Sequence, residues 1–198
     1  MKDSKNSANE TKPLSLSDRV LLLILARQAI DDVVHNRPLE KLKIKDLPAS
    51  LRQERASFVT LTLHGQLRGC MGAIEPQQPL AEDVRQQAIS SAFHDPRFSP
   101  VQSDELPDIE IEISCLSPIQ PLDYDSPEEL ISALRPGNNG VLLREGNLRA
   151  TFLPQVWEKI PDTEQFLSLL CQKMGVAPDY WRTNKLDVSV YQVEEFRE

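Results

Sequence analysis

The sequence predicts an α+β fold: a largely antiparallel sheet flanked by helices, with a smaller second lobe. Two strand-like pairs sit side by side across short glycine turns, at 57–74 and again at 141–152. Helical stretches lie between and after these pairs without the strict alternation that a parallel sheet requires. The 198 residues are 40% hydrophobic and 26% charged, which suits one substantial core with a small lobe beside it.

Residues 1–13 are polar and poor in bulky apolar groups, so they read as a disordered tail ahead of a domain at 14–198 with room for two subdomains. Ser15 with Asp18 three residues on resembles a capping box, and the helix it opens should run to about His35. Leu22, Leu25, Ala26, Ala29, Ile30 and Val33 recur at helical spacing as its buried stripe, while Arg27 and Asp31 fall on the wet side. Lys41, Lys43 and Lys45 alternate with Leu42 and Ile44, which predicts a short charged edge strand. A second helix is expected over Leu80–Phe93, where Leu80, Val84, Ala88 and Ala92 form a narrow, small-residue face. Residues 109–115 alternate strictly and place Cys115 on the isoleucine face as an inert core thiol. Ser126 and Pro127 open a short helix, Glu145-Gly146-Asn147 turns a hairpin, and a helix over Thr163–Met174 stops at Gly175. Residues 188–193 read as one closing strand.

The first hairpin holds the chemistry. Leu67-Arg68-Gly69-Cys70-Met71-Gly72 carries a cysteine between two glycines, and glycine in a strand marks close approach by another backbone or a ligand. Arg68, two residues before Cys70, would share its strand face, and a guanidinium beside a thiol favours the reactive thiolate. Turn length decides what that face is, because a one-residue slip exchanges the two sides. A two-residue loop buries Arg68 among Val59, Leu61 and Leu63. A three-residue loop, Leu63-His64-Gly65, with a bulged glycine instead groups Arg68 and Cys70 with Phe58, Thr60 and Thr62, and Leu67 and Met71 with Val59 and Leu61 on the core side. The second register separates polar from apolar residues better, so the expected site is a partly polar hollow.

Composition excludes several functions. The net charge of −8 argues against nucleic-acid binding. The longest apolar run, 20–26, is far short of the roughly 20 residues a membrane span needs, and it lacks the flanks of a signal peptide. Three widely spaced cysteines argue against a disulfide framework and for the cytoplasm. His64, Cys70 and His94 have no close metal-ligand spacing, so no metal is expected. Neither a cofactor nor an oligomeric state is assigned.

The hexapeptide at 67–72 resembles the signature of the AMME-complex region domain family, called AmmeMemoRadiSam system protein A in bacteria, with Met71 where the family usually has isoleucine. Further likenesses are Ala26-Arg27 in the first helix, Asp95-Pro96-Arg97-Phe98 with Pro100, Gly140-Val141-Leu142-Leu143, Phe152-Leu153-Pro154-Gln155-Val156-Trp157, and Trp181. The resemblance implies an α+β domain with a larger and a smaller lobe. It also implies a modification pathway shared with a Memo-like protein and a radical SAM protein, but no particular reaction. Two uses of the groove follow. In one, Cys70 is a nucleophile or carrier, Arg68 stabilises its thiolate or binds an anionic substrate, and His94 or His64 serves as base, with Thr60, Thr62, Gly69, Gly72, Asp95 and Arg97 around the substrate. In the other, the groove is a non-catalytic surface for a protein partner.

Overall fold

The computed structural model describes residues 13–198; all of the expected tail except Pro13 lies outside the described residues. The chain forms two compact units, one from the described residues up to Leu116 with Glu194–Glu198, the other from Ser117–Val193. Each holds a four-stranded sheet, so the single sheet expected from the sequence is in fact two.

In the first unit, helix α1 (Leu16–Val34) starts at the capping box: the Ser15 side chain accepts the Asp18 N–H, and Asp18 accepts the Ser15 N–H. Leu22, Ala26, Ala29 and Ile30 are buried as the spacing predicts. Arg27 departs from the expected wet face, bonding the carbonyl oxygens of Leu106 and Ile109 and the Glu198 carboxylate. The lysine run forms no strand. It stays irregular and enters a 3₁₀ turn at Ile44–Asp46, because strands need a neighbour and this one has none. A short helix α2 (Ala49–Arg52) leads into strands β1 (Ser57–Leu63) and β2 (Gln66–Gly72), followed by α3 (Leu80–Phe93) and β3 (Ile109–Leu116).

Sheet order is β2-β1-β3-β8, where β8 (Val193–Arg197) returns from far along the chain. Strands β1 and β3 pair antiparallel over their whole length, Thr60 opposite Glu112 and Val59 opposite Ile113. Val59, Leu61, Ile111 and Ile113 are fully buried beneath Leu22 and Ile30 of α1 and Val84 and Ala88 of α3. Burying each such aliphatic side chain contributes about 1.5–3 kcal/mol. The opposite sheet face carries Phe58, Thr60 and Thr62 of β1.

The second unit contains β4 (Gln120–Pro121), α4 (Pro127–Ala133), β5 (Gly140–Glu145), β6 (Leu148–Phe152), α5 (Val156–Lys159), α6 (Thr163–Met174), α7 (Tyr180–Thr183) and β7 (Asp187–Tyr191). Its sheet runs β4-β7-β5-β6, and α6 lays Phe166, Leu167, Leu170 and Cys171 into the core. Trp157 stacks on Phe166 with ring centroids 3.6 Å apart. The one closing strand expected at 188–193 divides into β7 and β8, which serve different sheets.

Candidate functional site

The hairpin register corrects one expectation and keeps its consequence. The turn is two residues long: Leu63 faces Gln66, and His64 and Gly65 both have positive φ, at 52° and 74°, the signature of a type I′ turn. Taken alone, that turn would put Cys70 on the apolar face. A bulge reverses the outcome: Thr62 pairs with Leu67 but Leu61 pairs with Gly69, leaving Arg68 as the extra residue. Beyond the bulge Cys70 stands opposite Thr60 and Met71 opposite Val59. Leu67, expected on the core side, lies before the bulge opposite Thr62 and is 44% exposed.

Helix α3 sustains this distortion. A Cβ on Gly69 would lie 2.1 Å from the Ser91 carbonyl oxygen, so the helix can approach β2 only where the strand has no side chain. The Ser91 hydroxyl sits between the strands, accepting the Met71 N–H at 2.8 Å and donating to the Val59 carbonyl at 2.7 Å. Gly72 makes similar room for the Phe58 ring, 2.3 Å from where its Cβ would be. Both glycines of the motif therefore accommodate neighbouring parts of the protein.

The segment after α3 fixes Cys70 along the outer edge of β2. Asp95 accepts the Cys70 N–H at 2.9 Å, while Arg97 reaches the Cys70 carbonyl oxygen at 3.4 Å. Asp95 also takes the Arg97 N–H, Nε and Nη2, the last at 2.6 Å. These Arg97 bonds hold the Asp95 carboxyl far below the usual carboxylate range, despite a side chain only 2% exposed. The pair supplies the backbone partners a further strand would give, covering an exposed edge. Asp95 and Arg97 are thus brought to Cys70 as its main-chain clamp.

The sulfur is half-buried and 3.3 Å from Thr60 Oγ1. Arg68 does not serve it as expected. Its Nε and Nη2 grip Glu105 at 2.7 and 2.9 Å, and Nη1 meets the Ser99 carbonyl at 3.0 Å. As the bulge residue it leaves the strand alternation, and its fork ties β2 to the loop ahead of β3. The cation bonded to the residue that bears the thiol is Arg97, whose guanidinium lies 5.4 Å from the Phe98 ring centroid. His94 is an exposed helix cap whose backbone N–H bonds the Ser90 carbonyl, and Thr62 lies before the bulge, opposite Leu67 and not Cys70.

Ser91, Glu105 and Glu112 complete the surroundings, and sequence reasoning assigned none of them. Ser91 carried a faint signal, the small face of α3; Glu105, 37 residues from Arg68, carried none. Cys115 behaves as expected: fully buried, with its thiol pushed up to about 12 by loss of solvent. Among the described residues no group of three or more histidine, cysteine and acidic side chains is gathered as a metal site, and no helix is long and apolar enough to cross a membrane.

A family profile described as AMMECR1 matches residues 23–196. A protein of Methanothermobacter thermautotrophicus is 40% identical over 192 residues, covering 94% of this chain and 97% of the relative. One from Thermofilum pendens is 38% identical over 201 residues, covering 93% and 92%. The crystal structure of an uncharacterized protein from Pyrococcus horikoshii superposes with a TM-score of 0.80 at 34% identity, covering 89% of each chain.

Proposed function

The chain belongs to the AMMECR1 family, and from that premise we propose that it is a thiol-dependent enzyme in which Cys70 forms a bond to its substrate. The observation that carries this reading is the setting of the sulfur: half-buried, hydrogen-bonded by Thr60, on a residue whose N–H and C=O are both clamped by the Asp95–Arg97 pair. A hydroxyl at the sulfur and a guanidinium on the same residue are surroundings in which reactive cysteines occur. Arg97, 54% exposed at its side chain, keeps donors for an anionic group on the substrate. In this reading the chain works in the cytoplasm, where free thiols persist, beside the Memo-like and radical SAM proteins that the family resemblance implies.

Alkylation by iodoacetamide at pH 7 tests it. Cys70 should react about tenfold or more faster than a free thiol, with Cys115 and Cys171 silent in the folded protein. A Cys70 rate at or below that of the free thiol ends the enzymatic reading. One observation favours the alternative, a protein-binding groove: the sulfur's hydrogen bond comes from Thr60 and not from an imidazole. A slow Cys70, with partner binding intact in Cys70→Ser and abolished in Arg97→Ala, would establish that second use.

A further inference from the structure

The bonds that Arg97 makes leave one of its nitrogens over and fix where that nitrogen points. A guanidinium is planar and carries five N–H groups in set directions. Nε and one N–H of Nη2 run parallel into the two Asp95 oxygens, at 2.9 and 2.6 Å. The other N–H of Nη2 points to the Cys70 carbonyl oxygen, at 3.4 Å. Planarity then sets one N–H of Nη1 parallel to that bond, beside the Cys70 backbone, with no acceptor among the described residues. The buried Asp95 carboxylate and the Phe98 ring, 5.4 Å away, hold the plane in place. Arg68 is engaged at all three nitrogens, by Glu105 and the Ser99 carbonyl. We propose, on the basis of the reactive-thiol reading, that Arg97 Nη1 determines specificity by binding a carboxylate carried one or two bonds from the carbon that Cys70 attacks.

The length of the substrate follows from covalent connection. An oxygen bound by Nη1 lies alongside the Cys70 carbonyl, and only Cα and Cβ separate that carbonyl carbon from the sulfur. The charge follows from the count of cations. Arg97 is already paired with Asp95, and Arg68 is held elsewhere, so the site suits a monoanion rather than a phosphate dianion. In the bond-forming step the thiolate, its proton released to solvent, forms the sulfur–carbon bond. The bond from that carbon to the leaving group breaks, and the leaving group departs with the electron pair. The carboxylate is unchanged throughout. The net charge of −8 repels small anions from the chain as a whole, so a preference for an anionic reagent at Cys70 must come from local donors.

Iodoacetate and iodoacetamide test this, because they offer the same carbon and the same leaving iodide and differ in carrying a carboxylate or a neutral amide. Both rates are measured at Cys70 in the full chain at pH 7, and their ratio is divided by the ratio for a cysteine-containing peptide. Both reagents meet the same thiolate, so the normalised ratio does not depend on how much thiolate is present. In the wild type it should exceed one by about tenfold or more, the worth of one charge-assisted hydrogen bond, and should fall as salt is added. It should drop to about one in Arg97→Gln. Arg97→Lys, which keeps a cation for Asp95 without the planar fork, should lower it as well, and thermal melting confirms that each variant is folded. A fast wild-type thiol with a ratio at or below one overturns this inference alone, as does a raised ratio that survives both substitutions. A wild-type thiol no faster than a free one toward iodoacetamide overturns the reactive-thiol reading and this inference with it.

Discussion

Replacing Asp95 by Asn removes one charge while keeping the side chain's shape. The carboxylate receives four N–H groups, two at each oxygen: the Cys70 N–H and Arg97 Nη2 at Oδ2, the Arg97 N–H and Nε at Oδ1. An amide has one acceptor corner and one donor corner, so either orientation sets a donor against two donors. Two charge-assisted bonds are lost, each worth about 1.5–3 kcal/mol, and solvent around the exposed Arg97 removes roughly half of that, leaving a loss of about 1.5–3 kcal/mol. For a chain of this size that lowers Tm by roughly 3–12 °C.

The pH dependence has a definite sign. The folded Asp95 carboxyl is held below its unfolded value, so its stabilisation is complete above the unfolded pKa of about 3.9 and is lost as pH falls through the folded value. The Tm gap between wild type and Asp95→Asn should therefore be constant from pH 7 to about pH 5 and shrink below about pH 4, by at most about 1.4 kcal/mol per pH unit. Calorimetry at pH 7, 5 and 3 measures it. A gap under about 2 °C at pH 7, or one as large at pH 3 as at pH 7, refutes the clamp.

Two further perturbations test the frame around the thiol. Gly69→Ala would set a methyl 2.1 Å from the Ser91 backbone oxygen, so α3 must separate from β2 at a cost of about 3 kcal/mol or more; a Tm within about 2 °C of wild type would contradict that contact. Arg68→Met should release Glu105, whose carboxyl lies below its usual range chiefly because of the Arg68 hydrogen bonds, and its titration followed by NMR should move up. An unmoved Glu105 would show that the pair does not form.

Local rules reach a definite depth in this chain. The capping box at Ser15 and Asp18, the bounds of Leu80–Phe93 and the inward isoleucines of β3 all follow from neighbours within a turn or two, and each stands in the structure as the residues dictate. The face that Cys70 occupies was also legible, from the demand that polar and apolar groups separate. The route to it was not. The expected three-residue loop is a two-residue turn plus a bulge at Arg68, and the two routes give the same parity at Cys70 but opposite parity at Leu67.

The sequence by itself therefore determined the longer helices and the hairpin strands, the α+β class and the side of the sheet on which the thiol lies, because periodicity and capping act over a few residues. Only the tertiary structure decided the partners: α3 approaches at Gly69, Arg68 turns to Glu105, Asp95 and Arg97 hold the Cys70 backbone, and Glu112 joins its row across Thr60. Those choices depend on which distant groups come within hydrogen-bonding distance once the core has closed, and no spacing along the chain records that distance.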